Sequence, residues 1–106
     1  MLDEVTSRMY EDKQQEGITL LHDMKVQDYN QWRRENPTIR LDISRQDFSS
    51  KDMSGVYLND ISGTITNLSG CNLSKANLVQ SELTEVNLEG ANLSDALYMF
   101  FYYEEV

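Results

Sequence analysis

Only two residues in this chain of 106 carry thiol or imidazole chemistry, Cys71 and His22. A nucleophilic thiolate needs a base or cation beside it, and a structural zinc needs a full set of Cys, His or carboxylate ligands. One of each assembles neither, and a lone cysteine cannot close an internal disulfide. Paired carboxylates are the other route to chemistry, and Glu82 and Glu85 stand close in sequence. Acid and base work from such a pair requires a pocket that shifts one pKa, so the question passes to the element that holds them. No glycine-rich phosphate loop is present.

Spacing defines that element. From Ile43 onward every fifth residue is large and apolar (Phe48, Met53, Leu58, Leu68, Leu73, Leu78, Leu83, Leu88, Leu93, Tyr98), with Gly63 the exception, which makes 11 matches in 12 positions. Five residues turn an α-helix through ~500°, and an odd period alternates across a flat strand, so neither element accounts for the pattern. A chain that turns a corner after every repeat does, and that is a solenoid. The residue two before each centre is often small (Thr66, Cys71, Ala76, Ser81, Ala91, Ala96), as suits a narrow column holding one bulky and one small side chain per repeat. The residue directly before the centre is usually acidic or amide (Asp42, Asp47, Asp52, Asn67, Asn72, Asn77, Asn87, Asn92), and such side chains bond nearby backbone in turns. Cys71 thus falls on a small inward position, and Glu82 and Glu85 project from a convex wall without a pocket. No catalytic, cofactor-binding or metal-binding residue is expected, and the chain is read as a non-enzyme that needs no cofactor.

The strings CNLSK, ANLVQ, VNLEG and ANLSD resemble the pentapeptide-repeat family. The resemblance covers residues 41–98 and is most specific over 66–96. The segment NQWRRENP, Asn30 to Pro37 with Trp32, is similar to the helical cap of many bacterial members. The resemblance implies a mainly β fold, a right-handed quadrilateral β-helix with four repeats per coil and an N-terminal α-helical cap. Twelve repeats then make about three coils, a column ~14 Å long at the ~4.8 Å strand spacing. At Gly63 the missing bulk is expected to be supplied by Ile61. Gln46 and Lys51 occupy inward positions of the first coil, where a buried amine is costly unless it snorkels beneath the cap.

Two segments follow, a helical cap over 1–38 and the repeat body over 39–106. Residues 1–40 lack the period and hold six bases against eight acids, with the single Trp and the single Pro. Leu2, Val5 and Met9 share one helical face, Gly17 interrupts, and Leu21, Met24 and Trp32 lie near one side of a second helix. Helices are predicted near 2–14 and 18–35, the second stopping at Asn36 because Pro37 follows. His22 is read as a surface or cap residue.

Charge bounds the partners. With 18 acids against 9 bases the formal charge is −9, which argues against nucleic acid or an anionic membrane as direct ligand and toward a basic protein. No run of 18 apolar residues occurs, and the start lacks the regions of a signal peptide, so a cytoplasmic location is expected.

With four repeats per coil, residues 20 apart stack, and the outward residues sort by side. An acidic wall is predicted from Asp42, Asp47, Glu82, Glu85, Glu89 and Asp95, with Arg45 its only base. An apolar face is predicted from Tyr57, Val79, Leu97 and Met99. The aromatic end places Tyr98, Phe101 and Tyr103 inward and Phe100 and Tyr102 outward, to close the last coil or to form a homodimer, as the C-terminal regions of quinolone-resistance pentapeptide proteins do. Some acidic members of the family that the chain resembles mimic duplex DNA in the DNA groove of topoisomerases, so the resemblance together with the acidic wall implies a protein-binding DNA mimic, an inhibitor or protector of gyrase or, by analogy with an anti-CRISPR factor, of a phage-defence nuclease. The apolar face suggests instead a scaffold or regulatory interaction module.

Overall fold

The computed structural model describes residues 3–98 together with the backbone of 102–105. Helix α1 spans Glu4–His22, with the Asp3 carboxylate accepting the Thr6 N–H at 2.7 Å as its N-cap. The predicted break at Gly17 is absent: the helix runs through it. A Cβ at Gly17 would lie 2.7 Å from Trp32 Cη2, so the glycine is a seat for the indole rather than a stop. The helix ends instead at Met24, which adopts φ 59° while Met24 N donates to Leu21 O and Lys25 N to Leu20 O. That is the Schellman pattern, made here by a residue whose type carries no stop signal. Helix α2 therefore begins late and spans Val26–Glu35, ending before Pro37 as the sequence predicts. Leu21, Tyr29 and Trp32 bury against each other and against the first coil.

Below the helices the chain stacks in coils. Parallel bridges join Asp42 to Ser62, Asp47 to Asn67, Asp52 to Asn72 and Tyr57 to Asn77, then Ser62 to Glu82, Asn67 to Asn87, Asn72 to Asn92 and Asn77 to Leu97. Each partner is twenty residues on, so one coil takes four five-residue steps. Within a step the centre residue points inward, and a turn closes by a bond such as Cys71 N to Leu68 O or Ala76 N to Leu73 O. The third residue of every turn has positive φ, from Arg45, Ser50 and Gly55 through to Gly90 and Asp95. A left-handed third residue is what type II turns require, and it lets the chain turn sharply within two residues. Asp42, Asp47, Asp52, Asn67, Asn72, Asn77, Asn87 and Asn92 each accept the backbone N–H two residues on, which locks the entry to the turn.

By regular secondary structure the described residues are not mainly β. The helices take 19 and 10 residues, whereas strand β1, Glu82–Val86, takes 5 and strand β2, Tyr102–Glu105, takes 4. The reason is the step length: one ladder residue per side leaves isolated bridges instead of strands. β1 and β2 pair in parallel, Glu82 with Tyr102 and Leu83 with Tyr103, so the twenty-residue offset continues into a fourth coil before slipping between Thr84 and Val86.

The core is the column axis. Ile43, Phe48, Met53, Leu58, Leu68, Leu73, Leu78 and Leu83 are buried, and the polar small residues spend their donors on carbonyls: Thr66 Oγ1 to Ile43, Cys71 Sγ to Phe48, Ser81 Oγ to Leu78. At the skipped position Ile61 is fully buried, and a Cβ on Gly63 would come within 3.0 Å of Leu83 Cδ2. The bulk has moved two residues back, and the Ser62 bridges on both sides keep the ladder unbroken.

Candidate interaction surfaces

The helical cap meets the first coil through side chains that stand in for a missing coil. Asn30 accepts the Tyr57 N–H through Oδ1 and donates through Nδ2 to Gly55 O. Gln14 does the same on another side, accepting the Asp42 N–H and donating to Arg40 O. Lys51 Nζ donates to His22 O at the C-terminus of α1, and His22 Nε2 bonds Gln46 Oε1 at 2.8 Å while its ring lies 4.4 Å from that of Phe48. The lysine and glutamine of the first coil thus find partners in the cap. His22 is a joint between cap and column. Cys71 is buried at 1% exposure, and burial raises its thiol pKa, so it offers no thiolate.

The predicted acidic wall is divided. Arg40, one coil-length before Asp60, pairs with Asp60 at 2.8 Å and with Glu82 at 3.0 Å, so Glu82 shares a cation and Arg45 is not the only base on that wall. Its reach across two coils follows from stacking, and applying the twenty-residue offset to residue 40 would have found it. Asp42 and Asp47 hold their turns, and the Ser49 backbone N–H keeps the Asp47 carboxyl below its ordinary pKa. Asp95 lies ten residues, half a coil, from Glu85 and so on the opposite corner of the column, not on the wall. Glu85 and Glu89 do come together. They rim a groove of ≈ 540 Å³ whose lining includes Ile65, Thr66, Asn67, Val86 and Asn87, and neither makes an ion pair among the described residues.

The predicted apolar face is reduced. Tyr57 lies beneath α2, its ring under the Arg34 guanidinium at 5.6 Å and its backbone held by Asn30. Val79 is half-buried, Leu97 is 60% exposed, and Met99 lies outside the described residues. Tyr98, expected inward, is 51% exposed, and Leu88 and Leu93 are only half-buried, because the last full coil has little stacked beneath it among the described residues. Phe100 and Phe101 lie outside the described residues, and for Tyr102 and Tyr103 only the backbone pairing with β1 is described. Trp32 is buried in the cap, its ring 5.8 Å from Tyr29. Among the described residues no group of three or more His, Cys, Asp or Glu is placed to hold a metal, and no helix is long and apolar enough to cross a membrane.

A column of five-residue steps, with a helical cap over its first coil and polar side chains over its turns, defines a solenoid, and its wall at Glu85 and Glu89 is grooved rather than the pocketless convex surface expected. Residues 66–97 match the family of Pentapeptide repeats (8 copies), and the chain carries the repeats of that family. No curated protein and no solved structure matches the chain significantly.

Proposed function

We propose that the column is the right-handed quadrilateral β-helix of the pentapeptide-repeat family and that the protein is a non-catalytic binding module. Its corner of Glu85 and Glu89 engages a basic, nucleic-acid-binding surface of a protein partner. The observation that carries this reading is the pair of unpaired carboxylates beside exposed Ile65, a lining that accepts the stem and head of an arginine or lysine. Proteins of this family are generally non-catalytic, in keeping with a surface built for contact.

The stronger form of the reading is a decoy for duplex DNA that inhibits or protects gyrase or a phage-defence nuclease. Residues 40–98 hold eight acids and four bases, a net of −4. A ~14 Å length of B-DNA carries roughly eight phosphates, so a single column has about half the duplex density. A homodimer through the C-terminal end would lengthen the acidic body and double the formal charge of −9. The test is capture from a bacterial lysate on the immobilised protein, at low and high salt, with duplex DNA as competitor. The captured enzyme should elute with salt, be displaced by DNA, and bind Glu85→Lys/Glu89→Lys at least ~10-fold more weakly. Undiminished binding to that variant at high salt would overturn the acidic reading in favour of the Val79 and Leu97 side.

A further inference from the structure

One groove of this acidic molecule is cationic. It lies between the C-terminal turn of α2 and the fourth side of the column, has a volume of ≈ 280 Å³, and is lined by Arg33, Arg34, Tyr57, Asn59, Asp60 and Asn77 together with Pro37. Arg33 is 5% exposed. Its Nη atoms donate to the carbonyls of Asn36, Ile39 and Asn59, and its Nε is buried without a partner. No carboxylate pairs with either arginine among the described residues. A buried guanidinium satisfied only by neutral carbonyls leaves its charge uncompensated.

The neighbouring donors are also in surplus. Arg34 donates through Nη2 to Gln31 Oε1 at 2.8 Å and through Nη1 to the Tyr57 hydroxyl at 3.4 Å, which leaves its Nε–H and the hydroxyl's own proton to spend. Asn77 spends Oδ1 on the Val79 N–H and keeps Nδ2 unbonded, while the Asn59 side-chain amide makes no hydrogen bond among the described residues. The one acid of the groove, Asp60, is engaged by Arg40 at 2.8 Å.

We propose that this groove binds a carboxylate carried on a short aliphatic stem, gripped by Arg34 and drawn in by the charge of Arg33. The guanidinium fork matches a planar carboxylate, and the Tyr57 ring and Pro37 offer apolar contact to the stem. A dianionic phosphate is disfavoured, because the chain's charge of −9 and the nearby Asp60 oppose a second negative charge. The groove lies on a different side of the column from Glu85 and Glu89 and binds the opposite charge, so this assignment stands apart from the proposed function.

The test follows the backbone amides of Tyr57, Asn59 and Asn77 and the Arg34 Nε–H by NMR at constant ionic strength. The probes are propionate, a blocked Ala-Glu-Ala peptide and inorganic phosphate. Saturable shifts with a Kd in the range of about 1–10 mM are expected for the carboxylates, weakened at least ~10-fold by Arg34→Gln and unchanged by Arg45→Gln. Equal affinity for propionate and peptide supports the site with a free acid as occupant, and tighter peptide binding supports it with an acidic peptide. Shifts that never saturate, that survive Arg34→Gln, or that are strongest with phosphate would overturn the proposal. Arg34 is exposed, and unchanged spectra elsewhere would establish that the variant is folded.

Discussion

Ile65 is a β-branched residue held at φ 58°, in a turn whose equivalents elsewhere in the column are glycine three times. The left-handed region costs an L-residue about 1–2 kcal/mol, and asparagine bears it more easily because its side chain can bond locally. Ile65→Asn is therefore expected to stabilise the protein by about 1 kcal/mol, read as a higher urea midpoint with unchanged slope. The companion position, directly before each centre, was legible because Asn and Asp have a local chemical reason to sit at a turn. The positive-φ position was not: Arg, Ser, Asp, Ile, Lys, Gln and Glu all fill it. At Asp47 the Ser49 N–H holds the carboxyl below the ordinary aspartate range, so the folded pKa is depressed relative to the unfolded one. Its stabilisation is present above that unfolded value and is lost as pH falls through the lower folded one. Asp47→Asn keeps the Oδ1 acceptor without the titration, and acid unfolding should move to lower pH, as measured by circular dichroism.

The helical cap reverses two readings made from residue types. Gly17 was expected to break a helix, yet its missing Cβ admits Trp32. Gly17→Ala sets a helix-propensity gain of about 1 kcal/mol against overpacking of about 1–3 kcal/mol. Because the indole is buried at 6% exposure and has little room to yield, the melting temperature should fall. Asn30 does for the first coil what a preceding coil would do. Asn30→Ala strips the Tyr57 N–H and the Gly55 carbonyl of their partner, a loss of about 1–3 kcal/mol, and hydrogen exchange at Tyr57 should accelerate. Nothing in the local sequence marks Asn30 or Gln14 for this work, since their partners lie 25 to 28 residues away.

At the scale of the whole molecule, the column is closed at one end by helices and continued at the other by β2, which docks on β1 one coil-length on. A chain ending at Tyr98 would leave the Glu82–Val86 edge unpaired, and such edges recruit other strands. Light scattering should find that truncated form larger and concentration-dependent relative to the intact chain. An unchanged mass would mean that β2 does not guard the edge. By itself the sequence determined the five-residue period, the inward centres, the Asn and Asp turns and the compensation at Gly63. Those are near-neighbour matters, decided by side-chain size and by bonds that span two residues. Only the tertiary structure decided that Arg40 pairs with Glu82, that Asp95 faces away from Glu85, that Tyr57 packs under the cap and that Arg33 and Arg34 face a groove without a carboxylate partner. Each of these depends on which residues twenty or more positions apart come into contact, and on where the helices lie across the first coil.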